Sequence, residues 1–453
     1  MFKKVVIANR GEIALRIIRA CRELGVATVA IFSEADRSAL HVRHADEAFC
    51  VGPPPAGRSY LNMPNIISTA LITGADALHP GYGFLSENAR FAEICTDHGI
   101  TFIGPPPRVI GEMGDKATAK RLLAAAGVAT TPGTGILASL EDARAAAREL
   151  GYPILLKATA GGGGKGMRRV NGDDELETAF ATAQSEAEAS FQDGRLYMEK
   201  LIERPRHIEV QILADHHGEV VHLGERDCSV QKPSHQKLIE EAPAPLLGER
   251  LRERLHTMAV TAARAVGYTN AGTMEFLIAG DDVYFMEVNA RIQVEHPVTE
   301  VIFGVDLVKE QIRIAAGEPL GFTQNDLHAN GHAIECRINA EDPDRDFAPA
   351  AGLLTSVELP GGPGIRVDTS IYAGLSIPPY YDSMLAKIVA VGRSRASALA
   401  RMERALAETR IEGVKTTAHV CGEILRDERF ARGGVSIDFL PVSFMPGREL
   451  TRV

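Results

Sequence analysis

The chain has 453 residues, 45% of them hydrophobic and 24% charged; at roughly 150 residues per domain this is apolar matter for more than one core, and it is not a disordered composition. Lys and Arg number 49 against 59 Asp and Glu, a net charge of −10, which argues against nucleic acid as a partner and leaves room only for a local cationic site. No apolar run approaches the roughly 18–20 residues that a membrane helix needs.

The first predicted element is a short buried strand, Val5–Ala8, too brief for the apolar core of a signal peptide. Glu12–Leu24 then places Ile13, Ile17, Cys21 and Leu24 on one helical stripe, with Gly25 as the C′ residue. Val26–Phe32, Asp76–Leu78 and Thr101–Ile103 are further strands, with helices between. This alternation predicts a mainly parallel, doubly wound sheet. The turn Ala8-Asn9-Arg10-Gly11-Glu12 lacks the GxGxxG spacing, so no dinucleotide site is expected there. A helix is predicted from an Asp115 N-cap to Gly127. Thr130–Gly135 reads as a linker, residues 130–202 as a compact α+β unit, and the chain from 203 onward as strand pairs with helices, largely antiparallel. Pro360-Gly361-Gly362-Pro363-Gly364 marks a turn in that late β-rich part. The expected divisions are 1–113, 114–129 (a connecting helix), 130–202 and 203–446, in a multidomain protein of α/β and α+β class. The six cysteines, Cys21, Cys50, Cys95, Cys228, Cys336 and Cys421, are scattered without a CxxC pair. Neither a disulfide framework nor a structural zinc site is expected, and a cytoplasmic setting is.

Two segments carry chemistry. Thr159-Ala160-Gly161-Gly162-Gly163-Gly164-Lys165-Gly166-Met167 follows the apolar strand Ile154-Leu155-Leu156-Lys157. Glycines let backbone N–H groups converge on an anion, and the flanking lysines add charge; the spacing is not that of a Walker A loop, and a flexible hinge is the competing reading. The second segment is a hairpin, Thr273–Leu277 and Phe285–Asn289, turning at Gly280-Asp281-Asp282. Residues i and i+2 share a strand face, so Glu287 and Asn289 are expected to point together, away from Met286 and Val288, with Glu275 beside them. Two carboxylates and an amide on adjacent strands suit Mg²⁺. Alternation by itself also describes a half-solvated sheet, but Arg291, Gln293 and Glu295 extend the polar series. His207-Ile208-Glu209-Val210-Gln211-Ile212 alternates in the same way. The cationic loop Gln231-Lys232-Pro233-Ser234-His235-Gln236-Lys237 and Arg337 become interesting only beside those carboxylates.

Read together, Val5–Ala14, His79-Pro80-Gly81-Tyr82-Gly83-Phe84-Leu85-Ser86-Glu87-Asn88, the glycine loop, Glu287–Glu300 and Pro378-Pro379-Tyr380-Tyr381-Asp382-Ser383-Met384 resemble biotin carboxylases, nearly end to end and in order. The resemblance implies an ATP-grasp fold with an N-terminal doubly wound α/β domain and a mobile lid over residues 130–202. It implies carboxylation of carrier-bound biotin using ATP, bicarbonate and Mg²⁺ or Mn²⁺. Carried over residue by residue, nucleotide contacts fall on Lys116, Lys157, Gly161, Gly162, Gly163, Gly164, Glu199, Lys200, Leu201, His207, Gln231, His235, Leu277 and Ile437. Metal ligation falls on Glu275 and Glu287, with Asn289 beside them. Lys237, Arg291, Gln293 and Val294 match the bicarbonate site, Glu295 the general base, and Arg337 the arginine facing the biotin ureido group.

The match departs from the family in two places: Lys232-Pro233-Ser234 looks like a one-residue insertion, and Ala160 and Lys165 replace a glycine and an arginine. No Met-Lys-Met segment of the biotin-carrying kind is present. The resemblance therefore implies a biotin carboxyl carrier protein and a carboxyltransferase on separate chains, and a homodimer, with no nucleic acid or membrane partner. Acetyl-CoA carboxylase, and so fatty acid biosynthesis, is the default setting. The competing readings are another ATP-grasp carboxylate ligase and a catalytically silent nucleotide-binding scaffold.

Overall fold

The computed structural model describes residues 1–159, 167–232 and 234–445, the side chain of Phe191 excepted. Its first sheet holds β1 (Lys4–Ile7), β2 (Ala27–Ser33), β3 (Glu47–Gly52), β4 (Ala77–His79) and β5 (Thr101–Phe102) in the order β3-β2-β1-β4-β5. Every pairing in it is parallel, as the alternation predicts, with boundaries one residue off. The strand order reverses between β1 and β4. Ligand crevices of open parallel sheets form outside the carboxyl ends of the strands at such a reversal. The segments leaving those ends here are Asn9-Arg10-Gly11 and Tyr82-Gly83-Phe84, and both line the main cavity.

Helix formation follows the expected caps. The Gly11–Glu23 helix buries Ile13, Ile17 and Cys21, and Gly25 takes φ +73° just past its end, a left-handed conformation that glycine adopts at little cost. The Lys116–Ala125 helix starts at Asp115, whose carboxylate accepts the Thr118 N–H at 2.7 Å.

A small sheet follows, β6 (Ile154–Ala158), β7 (Met167–Val170) and β8 (Leu196–Lys200), ordered β7-β6-β8 and antiparallel. With the helices Leu140–Leu150 and Asp173–Phe191 it encloses a core whose buried members all lie between Leu137 and Met198. By contrast, the largest core joins β1, β2 and β4 residues to Ile208, Val210, Met274, Phe276 and Phe285. The segments before 129 and after 203 thus share one packed interior.

The rest of the chain is built on an eight-stranded sheet. It contains β9 (Arg206–Ala214), β10 (Val220–Gln231), β11 (Lys237–Ala242), β12 (Asn270–Ala279), β13 (Asp282–Asn289), β14 (His332–Asn339) and the strands Met384–Gly392 and Ile365–Thr369. The order is β13-β12-β9-β10-β11-β14, then Met384–Gly392 and Ile365–Thr369, antiparallel throughout. In β9 the apolar residues Ile208, Val210 and Ile212 are 0% exposed, yet His207, Glu209 and Gln211 are at most 5% exposed. The polar face is not solvated: it forms the floor of a second, polar interior. All six cysteines are free, and no described helix is long and apolar enough to cross a membrane.

Candidate active site

The polar face of the large sheet floors a cavity of about 900 Å³, whose other walls come from β6 to β8, from the carboxyl ends of β1 and β4, and from Tyr381, Asp382 and Met384. Register explains how the acidic groups meet. Glu275 of β12 lies directly opposite Glu287 of β13 on one side and Glu209 of β9 on the other, and Glu209 lies opposite Arg226 of β10. Four neighbouring strands therefore contribute one charged row.

The hairpin differs from strict alternation in one respect. Its register shifts between the Glu275–Glu287 and Phe276–Phe285 pairs, so Met286 is an extra residue opposite the partner strand. A bulge of this kind re-aims side chains. Phe285 and Val288 stay in the apolar core, but Met286 lines the cavity together with Glu287 and Asn289, correcting the expectation that it points away. Beyond Asn289 the polar series is not strand at all. Residues 290–295 form a loop and turn, and Pro297 sits in the first turn of the His296–Phe303 helix.

Lys237, the first residue of β11, is the hub. Its Nζ lies 2.7 Å from Glu209 Oε2, 2.9 Å from Glu275 Oε1 and 2.6 Å from Glu295 Oε1. Burial alone would lower its pKa, but Cys228 and these three carboxylates hold it well above the ordinary lysine value. Glu295 is 0% exposed, with Oε2 2.9 Å from Arg337 Nη2 and the Cys228 Sγ 3.8 Å from Oε1. Burial and Glu209 push its pKa up, and Lys237, Arg337 and Arg226 more than reverse this, leaving the carboxylate ionised. Glu275 behaves likewise, with Lys237 and His207 outweighing burial; its Oε1 also accepts from Asn289 at 2.8 Å and Gln293 at 2.8 Å, and His207 Nε2 lies 2.9 Å from Oε2.

Two groups outside the sequence-derived set complete this floor. Glu209, 0% exposed, is clamped by the fully buried Arg226, whose Nε is 2.5 Å away and whose other nitrogens donate to Gln211, Thr299 and Thr273. Glu87 receives Arg291 Nε at 2.9 Å and the Ala290 N–H at 3.1 Å, tying the first sheet's loop to the 290–295 loop. The alternation of β9 was the available signal for Glu209. Glu87 is 204 residues from Arg291, and no local pattern links them.

At the other end of the cavity, Glu199 is bridged by Lys157 Nζ at 2.7 Å and by Lys120 Nζ. The two lysines overcome burial and bring its pKa down to about 2. Lys120 was not among the sequence candidates. Lys116 Nζ lies 3.4 Å from Glu287 Oε2. Gln231 Nε2 and His207 Nδ1 are 2.7 Å apart, and burial lowers the pKa of His235 despite Asp438 nearby.

Lys116, Lys157, Glu199, Lys200, Leu201, His207, Gln231, His235, Lys237, Glu275, Leu277, Glu287, Asn289, Arg291, Gln293, Val294, Arg337 and Ile437 all line the one cavity. Glu295 lies just behind it. The glycine run Gly161–Gly164, with Ala160 and Lys165, lies outside the described residues, as does Pro233 of the Lys232–Ser234 insertion. The strand residues flanking the run, Lys157 and Met167, face the cavity. Directly paired carboxylates with an amide oxygen beside them are hard donors and fit a divalent ion carrying phosphate. In this conformation protein side chains occupy them: Lys237 and His207 meet Glu275, Lys116 approaches Glu287, and Arg291 donates to Asn289 Oδ1 at 2.8 Å.

Three family models match the chain: "Biotin carboxylase, N-terminal domain" over residues 1–110, "Carbamoyl-phosphate synthase L chain, ATP binding domain" over 115–323 and "Biotin carboxylase C-terminal domain" over 335–442. A biotin carboxylase of Nostoc sp. is 56% identical, covering 97% of this chain and 98% of the relative. A pyruvate carboxylase subunit of Methanothermobacter thermautotrophicus is 54% identical, covering 97% and 90%. Among solved structures, the biotin carboxylase domain dimer of Hydrogenobacter thermophilus 2-oxoglutarate carboxylase, in complex with MgADP, ADP and bicarbonate, superposes with a TM-score of 0.95 at 51% identity and covers 97% of each chain.

Proposed function

The chain belongs to the biotin carboxylase family of ATP-dependent ligases, and on that premise we propose that its cavity carboxylates biotin on a carrier protein, using ATP and bicarbonate through carboxyphosphate. The observation that carries the reading is the buried, ionised Glu295 held between Lys237 and Arg337. A scaffold that only binds nucleotide needs no such base.

Bicarbonate is a poor nucleophile until it loses its proton. Glu295 takes that proton, and the oxygen freed by this transfer attacks the γ-phosphorus of ATP, whose bond to the β–γ bridging oxygen breaks as ADP leaves. Lys237, Arg291, Gln293 and the Val294 backbone hold the anion. Phosphoryl transfer depends mainly on positioning and charge neutralisation; Lys116, Lys157, His207, Gln231, His235 and the glycine loop supply these, with Leu277, Ile437 and the Glu199–Leu201 stretch at the base end. Glu275 and Glu287, with Asn289 beside them, would hold the Mg²⁺ that accompanies the nucleotide and neutralises phosphate charge. Carboxyphosphate hydrolyses readily, so water must be kept out. The 130–202 segment, whose core is self-contained, is the proposed lid, and the division at 113, 129 and 202 is part of the same proposal. Carboxyphosphate gives CO₂ and phosphate, the phosphate removes the biotin ureido N–H proton, and Arg337 stabilises the negative ureido oxygen as nitrogen attacks CO₂.

The proposal extends to a homodimer, supported by the dimer of the Hydrogenobacter thermophilus relative, and to a cytoplasmic setting, which six free cysteines suit. The carrier and the carboxyltransferase are proposed to be separate chains. The acceptor follows from the transferase. Acetyl-CoA is the proposed acceptor, with pyruvate and 2-oxoglutarate as competitors, because relatives serving those acids are about as similar as the Nostoc protein. Phosphate release from MgATP tests the core reading: it is expected to require bicarbonate and to rise with free biotin. Release that ignores both overturns it.

A further inference from the structure

Behind Arg337 lie two carboxyl groups that the reaction above does not use. Glu240 of β11 and Glu335 of β14 are directly paired across strands, and both are 0% exposed. Glu335 shares a strand face with Arg337, two residues on, while Cys336 and Ile338 face an apolar core. The Glu240 Oε1 receives Arg337 Nε at 2.6 Å and Nη2 at 2.5 Å. Nη2 also reaches Glu295 Oε2 at 2.9 Å. Two buried acids thus clamp one edge of the guanidinium, and among the described residues Nη1 has no protein partner. Arg337 itself lines the cavity.

Without Glu240, Arg337 would answer to Glu295 alone, through a single nitrogen. With Nε and Nη2 both on Glu240 Oε1 and Nη2 also on Glu295 Oε2, the planar guanidinium has two anchors along one edge, which restrict its rotation. We propose that Glu240 is the positioning residue of Arg337, fixing the guanidinium plane so that its free Nη1 end faces the biotin side of the cavity while Glu295 remains available as base.

Glu335 makes this arrangement electrically tolerable. Neither of its carboxyl oxygens has a hydrogen-bond partner, nor has Glu240 Oε2. Burial pushes both acids up, Glu240 to about 7 and Glu335 much further; Arg337 favours the charged form of Glu240 by direct contact. Two adjacent buried carboxyls do not both ionise. Glu335 therefore carries the proton and Glu240 the charge that holds Arg337.

The inference rests on the assignment of Arg337 to biotin, and its test separates the two. Purified full-length enzyme is assayed for bicarbonate-dependent ATP cleavage without biotin, and for carboxybiotin formed per ATP cleaved with free biotin. Glu240→Gln, which keeps shape and removes charge, is expected to lower kcat for biotin carboxylation by about 10²-fold, the scale of a misplacement near 1 Å. It should leave biotin-independent ATP cleavage within about threefold, so that carboxybiotin per ATP falls. That split is not what a general loss of folding produces. Glu335→Gln, an isostere of the neutral acid, is expected to retain both rates. If Glu240→Gln is insoluble, Glu240→Asp should show the same split at smaller size. Wild-type coupling in a Glu240 variant, when Arg337→Ala has lost it, overturns the positioning role alone. Wild-type coupling in Arg337→Ala overturns the assignment of Arg337 on which it rests.

Discussion

Lys237 and Glu295 form a 2.6 Å ion pair in which the carboxylate is fully buried, although 58 residues separate them. The lysine sits at the start of a strand and the glutamate just before a helix, and the eight-stranded sheet brings them together. Because the same ammonium also serves Glu209 and Glu275, one cation is shared by three buried acids, with Arg226 assisting at Glu209 and Arg337 at Glu295.

Removing that cation is expected to be severe for folding as well as catalysis. Breaking a buried pair by deleting one partner typically costs about 3–5 kcal/mol, since the remaining charges stay desolvated. Lys237→Met should therefore unfold at markedly lower denaturant than wild type. An unchanged midpoint would show that the three carboxylates are neutralised in some other way.

Glu295→Gln keeps the shape of the side chain and its contact with Arg337 but cannot accept a proton. Loss of a general base typically costs about 10²–10⁴-fold, so bicarbonate-dependent phosphate release should fall by roughly that factor while nucleotide still binds. Full turnover in this variant would end the base role.

Acid lability should trace in part to His41. Burial, with Arg10 adding to it, lowers its pKa from 6.5 to about 4 despite Asp36 and the Ile31 backbone nearby. Between those two pH values the unfolded chain binds a proton that the folded chain refuses, so stability falls as pH is lowered through the window, by about 1.4 kcal/mol per unit for one fully titrating group. Above 6.5 this contribution is fully present. Melting curves from about pH 7.5 to about pH 3.5, a range that brackets this window, should be less steeply pH-dependent in His41→Gln; identical slopes would exonerate the residue.

Much of the architecture was legible from local pattern. Alternating strands and helices signalled the parallel sheet, Asp115 and Gly25 marked helix ends, and the i, i+2 spacing placed Glu287 with Asn289, because caps and strand faces depend on residues a few positions apart. The same rule misplaced Met286, since a bulge depends on how the partner strand pairs. It also read 291–295 as extended, where the tertiary structure makes a loop leading into a helix. The polar side of β9 has the alternation of a half-exposed strand, and only the tertiary structure shows that it is buried, against Arg226, Lys237, Glu275 and Gln293.

Sequence alone determined which residue types were present and at what spacing, and that sufficed for the acids of the hairpin and for the family pattern. Only the tertiary structure decided which charges neutralise which. The clamps of Lys237 on three acids, Glu87 on Arg291, and Glu240 on Arg337 join positions tens to hundreds of residues apart. Such contacts arise from strand order and burial, and the low dielectric that gives them their strength exists only once the chain has closed around them.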